Sequence, residues 1–232
     1  AMLSDVSGVE SFGGELAIVG GGAVGSVIAD NFSRRGVSKI HVIDHDIFYP
    51  HNVARHILGE KDAGMPKARS TVVHINGVTG NFDNKFYNSK FEKLSGQSRD
   101  DVFSSKVLID CTATDMLNGI NFDDLKSERI YRCYIADSGK MGVIQGLDPS
   151  AKNCDFFDLE AVLLVESCID TEISGWLSSG ELSEMLVGLN CSSTTMKMPL
   201  NIIQNHSSVF MSFIDDVQKI DNGLIGINLL DD

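Results

Sequence analysis

This chain of 232 residues has no cysteine pairs at the spacing of disulfide frameworks or zinc sites. Its five cysteines stand at positions 111, 133, 154, 168 and 191, odd in number and without a C-x-x-C pair. This pattern argues against a disulfide framework and against a structural zinc site. We therefore expect free thiols, no structural zinc and a cytoplasmic protein.

Basic residues are also scarce, and no apolar run is long. Nineteen Lys and Arg face 32 Asp and Glu, which gives a formal net charge of −13. Nucleic acid is not an expected partner, because phosphate contacts need a basic surface. No apolar stretch approaches the ~20 residues of a membrane helix, and the N-terminus has no signal-peptide pattern. A membrane partner is therefore not expected either.

What is present is a globular composition, with 43% hydrophobic and 22% charged residues. A chain of this length is able to bury a sizeable core. We expect residues 1–13 to be an N-terminal extension, with a remnant of cloning at residues 1–2, and residues 14–232 to be a single domain. The predicted fold class is α/β, a Rossmann-like doubly wound, mostly parallel sheet with helices on both faces.

Alternating strand and helix patterns carry this prediction. The first part of the chain predicts one β-α-β unit. It contains an apolar run at residues 16–20, a helical spacing of apolar residues that ends at Gly36, and a second apolar run at residues 39–44. Further strands are predicted near residues 106–110, 129–137, 140–147 and 224–230. A further helix is predicted to open at residues 64–67, with Pro66 in its first turn, and to run to about residue 75. Others are predicted near residues 158–166, 181–187 and 200–219.

Residues 20–25 read Gly-Gly-Gly-Ala-Val-Gly, a G-x-G-x-x-G turn between a strand and a helix. Gly20, Gly22 and Gly25 allow a tight turn and close backbone approach, and the helix N-terminus offers N–H groups to phosphate. Asp44 ends the second strand, where an acidic side chain meets a ribose hydroxyl. The pattern predicts a nucleotide site but does not distinguish NAD from ATP. The alternative is a turn needed only for helix–strand packing.

The next segment favours a triphosphate. Residues 50–70 contain four basic and two acidic side chains in a chain of strongly negative charge. Asn52 and Arg55 are three residues apart, so they face the same way if that piece is helical. Lys67 lies in the first turn of a predicted helix, where the helix dipole disfavours a cation, and a bound polyanion would offset that cost.

Four motifs in order resemble the adenylating core of the ubiquitin-activating enzyme superfamily, with its bacterial ThiF-, MoeB- and HesA-type relatives. They are the Gly-rich turn, Asp-x-Asp, Asn-x-x-Arg and Gly-x-x-Lys, at residues 20–25, 44–46, 52–55 and 64–67. The similarity is strong over about residues 14–120. Residues 55–59 are most similar to bacterial activating enzymes that are fused to a conjugating-enzyme domain.

The resemblance implies an enzyme that uses ATP and Mg²⁺ to adenylate the C-terminal carboxylate of a ubiquitin-like or sulfur-carrier-like protein. By family position, Asp44 and Asp46 would serve the ribose and the polar network beside the metal. Asn52, Arg55 and Lys67 would hold the phosphates, and Arg55 and Lys67 would act in catalysis. The family also implies a homodimer and a conjugating-enzyme domain as a partner.

The sequence departs from the family where the metal ligand is expected. The family's Asp-x-Thr-Asp reads Asp110-Cys111-Thr112 here, followed by Ala113 and Thr114. Asp115 is the expected magnesium ligand if a two-residue insertion is accommodated; otherwise the position belongs to Ala113. Residues 1–13 also lack the Arg that many relatives carry before the first strand.

Some relatives transfer the adenylate to a thiol, which requires an accessible cysteine. Cys191 precedes a Ser/Thr-rich run and Pro199. ThiF-like and MoeB-like relatives carry a cysteine at a comparable distance before such a proline, so the resemblance implies that Cys191 is the acyl carrier. The alternatives are an unreactive loop thiol at this position or a role for Cys154. Two other functions stay open, an NAD-dependent oxidoreductase and a degenerate nucleotide-binding module.

Overall fold

A seven-stranded sheet organises the chain in this computed structural model, which describes residues 13–114, 116–150, 153–178, 198–217, 220 and 222–230. The strands are β1 (Glu15–Val19), β2 (Lys39–Ile43), β3 (Lys85–Tyr87), β4 (Val107–Asp110), β5 (Arg129–Ala136), β6 (Met141–Leu147) and β7 (Gly223–Leu229). The α-helices are α1 (Ala23–Arg34), α2 (Lys67–Thr79), α3 (Gly96–Phe103), α4 (Phe156–Ile169), α5 (Thr171–Ser178) and α6 (Leu200–Asp216).

The strand order is β3-β2-β1-β4-β5-β6-β7. The first five strands in this order run parallel, and β6 and β7 are each antiparallel to the strand before them. The chain moves from β1 to one side through β2 and β3, and then crosses to the other side of β1 at β4. This reversal leaves a crevice at the carboxyl ends of β1 and β4, where open α/β sheets bind ligands.

Helices cover both faces of the sheet because alternate strand residues bury opposite sides. On one face α1, α2 and α6 contribute Ile28, Ile75 and Phe210, each with no exposed surface, to one core that also contains Ile18 of β1. On the other face α3 and α4 contribute Phe103 and Phe156 to a second core. The predicted fold class is therefore confirmed.

The ends of α2 show how local sequence sets helix boundaries. Pro66 precedes the first residue in extended conformation, and Gly80 ends the helix with a φ of 70°. This left-handed conformation favours glycine and ends the helix at Thr79, beyond the predicted end near residue 75.

Three of the described strands and α-helices were absent from the prediction: β3, α3 and α5. β3 has only three residues, and α3 reads Gly-Gln-Ser-Arg-Asp-Asp-Val-Phe, which carries little apolar periodicity. The last helix and the closing strand are found close to their predicted bounds. The helix predicted at 181–187 lies outside the described residues. Among the described helices, none combines the length and the apolar character that a membrane crossing requires.

Candidate active site

A cavity of about 360 Å³ opens at the carboxyl ends of β1, β2 and β4, in the crevice that the strand order creates. Pockets of this size hold small organic ligands. Its lining comes from the glycine turn, the end of β2, the start of α2, the loop after β3 and the loop after β4. The lining residues are Val19, Gly20, Gly22, Ile43, Asp44, His45, Asp46, Lys67, Ser89, Lys90, Phe91, Glu92, Cys111, Thr112, Thr114 and Met116.

The glycine turn needs its glycines for two different reasons. Gly20 has a φ of 90°, and a Cβ there would lie 2.9 Å from the backbone carbon of Cys111. A Cβ on Gly25 would lie 1.9 Å from the carbonyl oxygen of Gly20. Gly25 therefore serves the close packing of α1 on the turn. Gly20 and Gly22 line the cavity, with Gly22 directly before the first residue of α1.

Asp44 follows β2 and lines the cavity beside the glycine turn. Its side chain is buried, and Oδ1 accepts the backbone N–H of Asp46 across 2.7 Å. Burial raises the pKa of the Asp44 carboxyl, and the Asp46 hydrogen bond and the charge of Lys67 oppose this shift. A carboxylate at this depth accepts hydrogen bonds strongly, because water competes little for it.

Lys67 is the first residue of α2, and its side chain is almost completely buried. Its backbone N–H donates to the carbonyl oxygen of Asp46 across 2.9 Å, and its Nζ donates to Oδ2 of Asp46 across 3.0 Å. The carboxylate of Asp46 therefore offsets the unfavourable dipole at this helix N-terminus. From the sequence, a bound polyanion was expected to offset this dipole. In the structure the carboxylate of Asp46 is one anion that does so.

Asn52 and Arg55 lie on a 3-10 helix, Pro50–Arg55, between β2 and α2. Both side chains are buried, whereas His51 and Val53 are exposed, so the predicted common face is confirmed. Oδ1 of Asn52 accepts the backbone N–H of Tyr49 across 2.8 Å. Within the described part of the chain, neither Asn52 nor Arg55 is among the residues that line the cavity.

The structure thus brings five of the predicted residues to one cavity. They are Gly20, Gly22, Asp44, Asp46 and Lys67. Asp115 and Cys191 lie outside the described residues. Cys111, by contrast, is buried, as its position after an apolar strand indicates.

The sequence reasoning missed the hydroxyl groups after β4. Oδ1 of Asp110 accepts the N–H and the hydroxyl of Thr112 at 2.8 and 2.6 Å, and the hydroxyls of Thr112 and Thr114 are 2.7 Å apart. Ala113 between them has a φ of 53°, which L residues rarely adopt. Thr112 and Thr114 of this turn line the cavity. The Asp-x-Thr sequence after the strand was the signal that could have predicted this turn.

One group of potential metal ligands occurs within the described ranges. Oxygen or nitrogen atoms of Asp44, His45 and Asp46 lie within 4.8 Å of one another. Asp46 is already engaged by Lys67, and Asp44 by the backbone of Asp46. This geometry fits a polar network beside a nucleotide.

Comparison with known proteins agrees with these motifs. The ThiF family matches residues 13–119, which include the glycine turn, Asp44, Asp46 and Lys67. The similarity to the ThiF family is confined to this segment, a little under half of the chain. The predicted resemblance to ubiquitin-activating enzymes and their bacterial relatives is confirmed.

Two curated relatives align with the ThiF segment. The ATP-dependent ubiquitin transferase-like protein Cap2 of Enterobacter hormaechei subsp. hoffmannii is 31% identical over 118 residues, 50% of this chain and 20% of that protein. Ubiquitin-like modifier-activating enzyme 5 of Caenorhabditis elegans is 38% identical over 64 residues, 26% of this chain and 15% of that protein. This chain therefore spans a fifth or less of these relatives.

Solved structures share the fold over nearly the whole chain. Escherichia coli MccB with ATP has a TM-score of 0.60 and 12% identity, covering 99% of this chain and 66% of that one. PaaA has a TM-score of 0.62 and 13% identity, covering 91% of this chain and 68% of that one. At these identities the likeness concerns the fold alone.

Proposed function

We propose that this protein binds ATP and adenylates the C-terminal carboxylate of a ubiquitin-like or sulfur-carrier-like protein. One observation carries the proposal: the buried Lys67 lines the same cavity as the glycine turn and Asp44. Lys67 is already paired with Asp46, and it stands at the cavity wall where phosphates of a nucleotide would lie. A triphosphate brings more negative charge to this cation than the diphosphate of a dinucleotide does, so the buried lysine favours ATP.

The proposed roles follow the positions of the residues. Gly20 and Gly22 let the phosphates approach the backbone and the N-terminus of α1. Asp44 accepts hydrogen bonds from the ribose hydroxyls. Lys67 neutralises negative charge on the phosphates, and its bond to Asp46 holds the ammonium group at the cavity wall. Asn52 and Arg55 are buried on the adjoining 3-10 helix, outside the cavity lining, and their expected contacts with the phosphates stay a prediction.

In the proposed reaction a carboxylate oxygen of the protein substrate forms a bond to the α-phosphorus. The bond from that phosphorus to the bridging oxygen breaks, and pyrophosphate leaves with the electron pair. The products are an acyl adenylate and pyrophosphate. Positioning and charge neutralisation dominate such a step, so buried cations and backbone N–H groups suffice as the protein's contribution.

Relatives support the class of substrate. One is named a ubiquitin transferase-like protein and another a ubiquitin-like modifier-activating enzyme, and solved structures of MccB include one with ATP. From these names we infer that the substrate is the tail of a ubiquitin-like protein. A conjugating-enzyme domain as partner, a homodimer and a cytoplasmic location stay predictions from the sequence. Bound Mg²⁺ would neutralise phosphate charge, and Asp115 remains its proposed ligand.

The proposal is tested with purified protein, ATP–Mg²⁺, NAD⁺ and NADH. We expect ATP–Mg²⁺, but neither NAD⁺ nor NADH, to raise the melting temperature of the wild-type protein. The Lys67→Met variant should show no such increase with ATP–Mg²⁺. Lys61→Met is the matched control, because Lys61 is exposed outside the cavity. Stabilisation by NAD⁺ would establish the oxidoreductase alternative, and no stabilisation by either nucleotide would indicate a degenerate module.

Isotope exchange between pyrophosphate and ATP, with added tail peptide, then tests catalysis. Lys67→Met and Asp115→Ala are expected to reduce exchange at least 100-fold. Cys191→Ala is expected to preserve exchange and to remove a thioester that reducing agents cleave. If a reducible adduct persists in Cys191→Ala, the proposed acyl carrier is wrong.

A further inference from the structure

His56 connects the glycine turn to the segment before α2. Its Nε2 lies 2.8 Å from the carbonyl oxygen of Gly21, although the two residues are 35 positions apart in the chain. The backbone N–H of Leu58 donates to Nδ1 across 3.2 Å. His56 is buried, with 4% of its surface exposed, and its ring packs in a T-shaped arrangement with the ring of Phe48.

These two hydrogen bonds determine which ring nitrogen carries the proton. Nδ1 accepts from Leu58, so it has no proton of its own, and Nε2 therefore donates to Gly21. A cationic ring would carry a second proton at Nδ1, directly opposite the Leu58 N–H. Two donors would then face each other in a buried site.

Burial lowers the pKa of His56 to about 4, although the hydrogen bond to Gly21 favours the charged form. The positive charges of Lys67, His74 and Arg55, from α2 and the 3-10 helix, lower the pKa further. His56 is therefore uncharged at neutral pH and offers one donor, the Nε2–H.

The acceptor is the peptide group between Gly21 and Gly22. In a planar trans peptide the carbonyl and the N–H point in opposite directions. A bond from His56 to the Gly21 carbonyl therefore fixes the Gly22 N–H on the side away from His56. Neither glycine has a Cβ, so rotation of this peptide meets little steric resistance. Gly22 lines the cavity, which makes its N–H a candidate phosphate donor.

We propose that His56 is a positioning residue, which holds the Gly21–Gly22 peptide so that the Gly22 N–H binds the nucleotide phosphates. The inference rests on the proposed ATP site and adds a specific role for a side chain outside the cavity lining. Loss of the His56 bond allows this peptide to rotate and to present a carbonyl oxygen to the phosphates. An oxygen there repels the ligand that the N–H attracts.

The test compares ATP and adenosine binding by calorimetry at pH 7.5 for wild type, His56→Ala, His56→Gln and His51→Ala. We expect His56→Ala to weaken ATP binding at least tenfold with adenosine binding unchanged, because only ATP has phosphates. Gln carries an amide N–H at a similar distance, so His56→Gln should stay within about threefold of wild type. His51 is exposed on the same segment, so His51→Ala should match wild type.

A merely structural role would lower the affinity for both ligands alike, and that result would overturn the inference. Unchanged ATP binding in a folded His56→Ala protein would also overturn it, as would failure of His56→Gln to restore binding. If wild type itself binds no ATP, the proposed function fails first. Absence of ATP binding in wild type therefore contradicts the proposed ATP site, whereas the results for the variants of a wild type that binds ATP decide the role of His56.

Discussion

Two helical glycines should respond to alanine in opposite directions. Gly25 in α1 and Gly77 in α2 are both inside helices, where alanine is favoured over glycine by about 1 kcal/mol. A Cβ on Gly77 meets nothing within 4 Å. A Cβ on Gly25 would stand 1.9 Å from the carbonyl oxygen of Gly20, against 3.4 Å for the start of ordinary contact. Backbone would therefore have to move by about 1.5 Å.

Such overpacking costs about 3 kcal/mol, and it exceeds the helix-propensity gain. We expect Gly25→Ala to lower the free energy of unfolding by about 2 kcal/mol and Gly77→Ala to raise it by about 0.5 kcal/mol. At this chain length the first change lowers the melting temperature by roughly 6 °C. Urea titration of both variants measures the difference, with equal m-values as the condition for comparison.

The same substitution also tests the site. Movement of the Gly20 carbonyl shifts the turn that lines the cavity, so Gly25→Ala should lose the melting-temperature shift given by ATP–Mg²⁺. Gly77→Ala should keep that shift. Equal stability of the two variants would refute the close approach of α1 to the glycine turn.

Three further predictions concern stability. The pKa of His56 is about 4 in the fold and about 6.5 in the unfolded chain, so the unfolded chain binds more protons between these pH values. The free energy of unfolding should therefore fall by up to about 3 kcal/mol as the pH drops from 6.5 to 4. In His56→Gln this part of the stability–pH profile should be flatter. Arg129 donates from Nη1 to the carbonyl oxygens of Ile214 and Val217 at the end of α6, so Arg129→Met should lower the free energy of unfolding in urea titration by about 2 kcal/mol. Arg34→Met removes only an exposed ion pair and should change the free energy of unfolding by less than about 0.5 kcal/mol. Val72 is buried and Val73 is 59% exposed, so Val72→Ala should cost about 2 kcal/mol and Val73→Ala much less; equal losses would contradict the orientation of α2.

The fold class was predictable because its signals are local. The apolar runs at β1 and β2, the glycine turn between them and Gly36 after α1 are recognised without knowledge of distant residues. β3 escaped prediction because a three-residue strand depends on its neighbour: β2 supplies all its pairing through His41, Val42 and Ile43. α3 escaped because its residues are mostly polar, and only Val102 and Phe103 reach the core.

Part of the candidate site was also predictable from local sequence, and part of it depends on the fold. The glycine turn, Asp44, Asp46 and Lys67 were predictable from the sequence, because they belong to short motifs. These motifs follow β1, follow β2 and open α2. Only the tertiary structure decided which of them share a cavity. Strand β4, distant in sequence, brings Thr112 and Thr114 beside the turn.

The bond between His56 and Gly21 shows the limit of local reasoning most directly. A histidine after an arginine carries no signal of its own, and its partner is a backbone carbonyl 35 residues away. The sequence determines the donors and acceptors that exist. Folding determines which of them meet, because burial excludes water and makes each unsatisfied polar group costly.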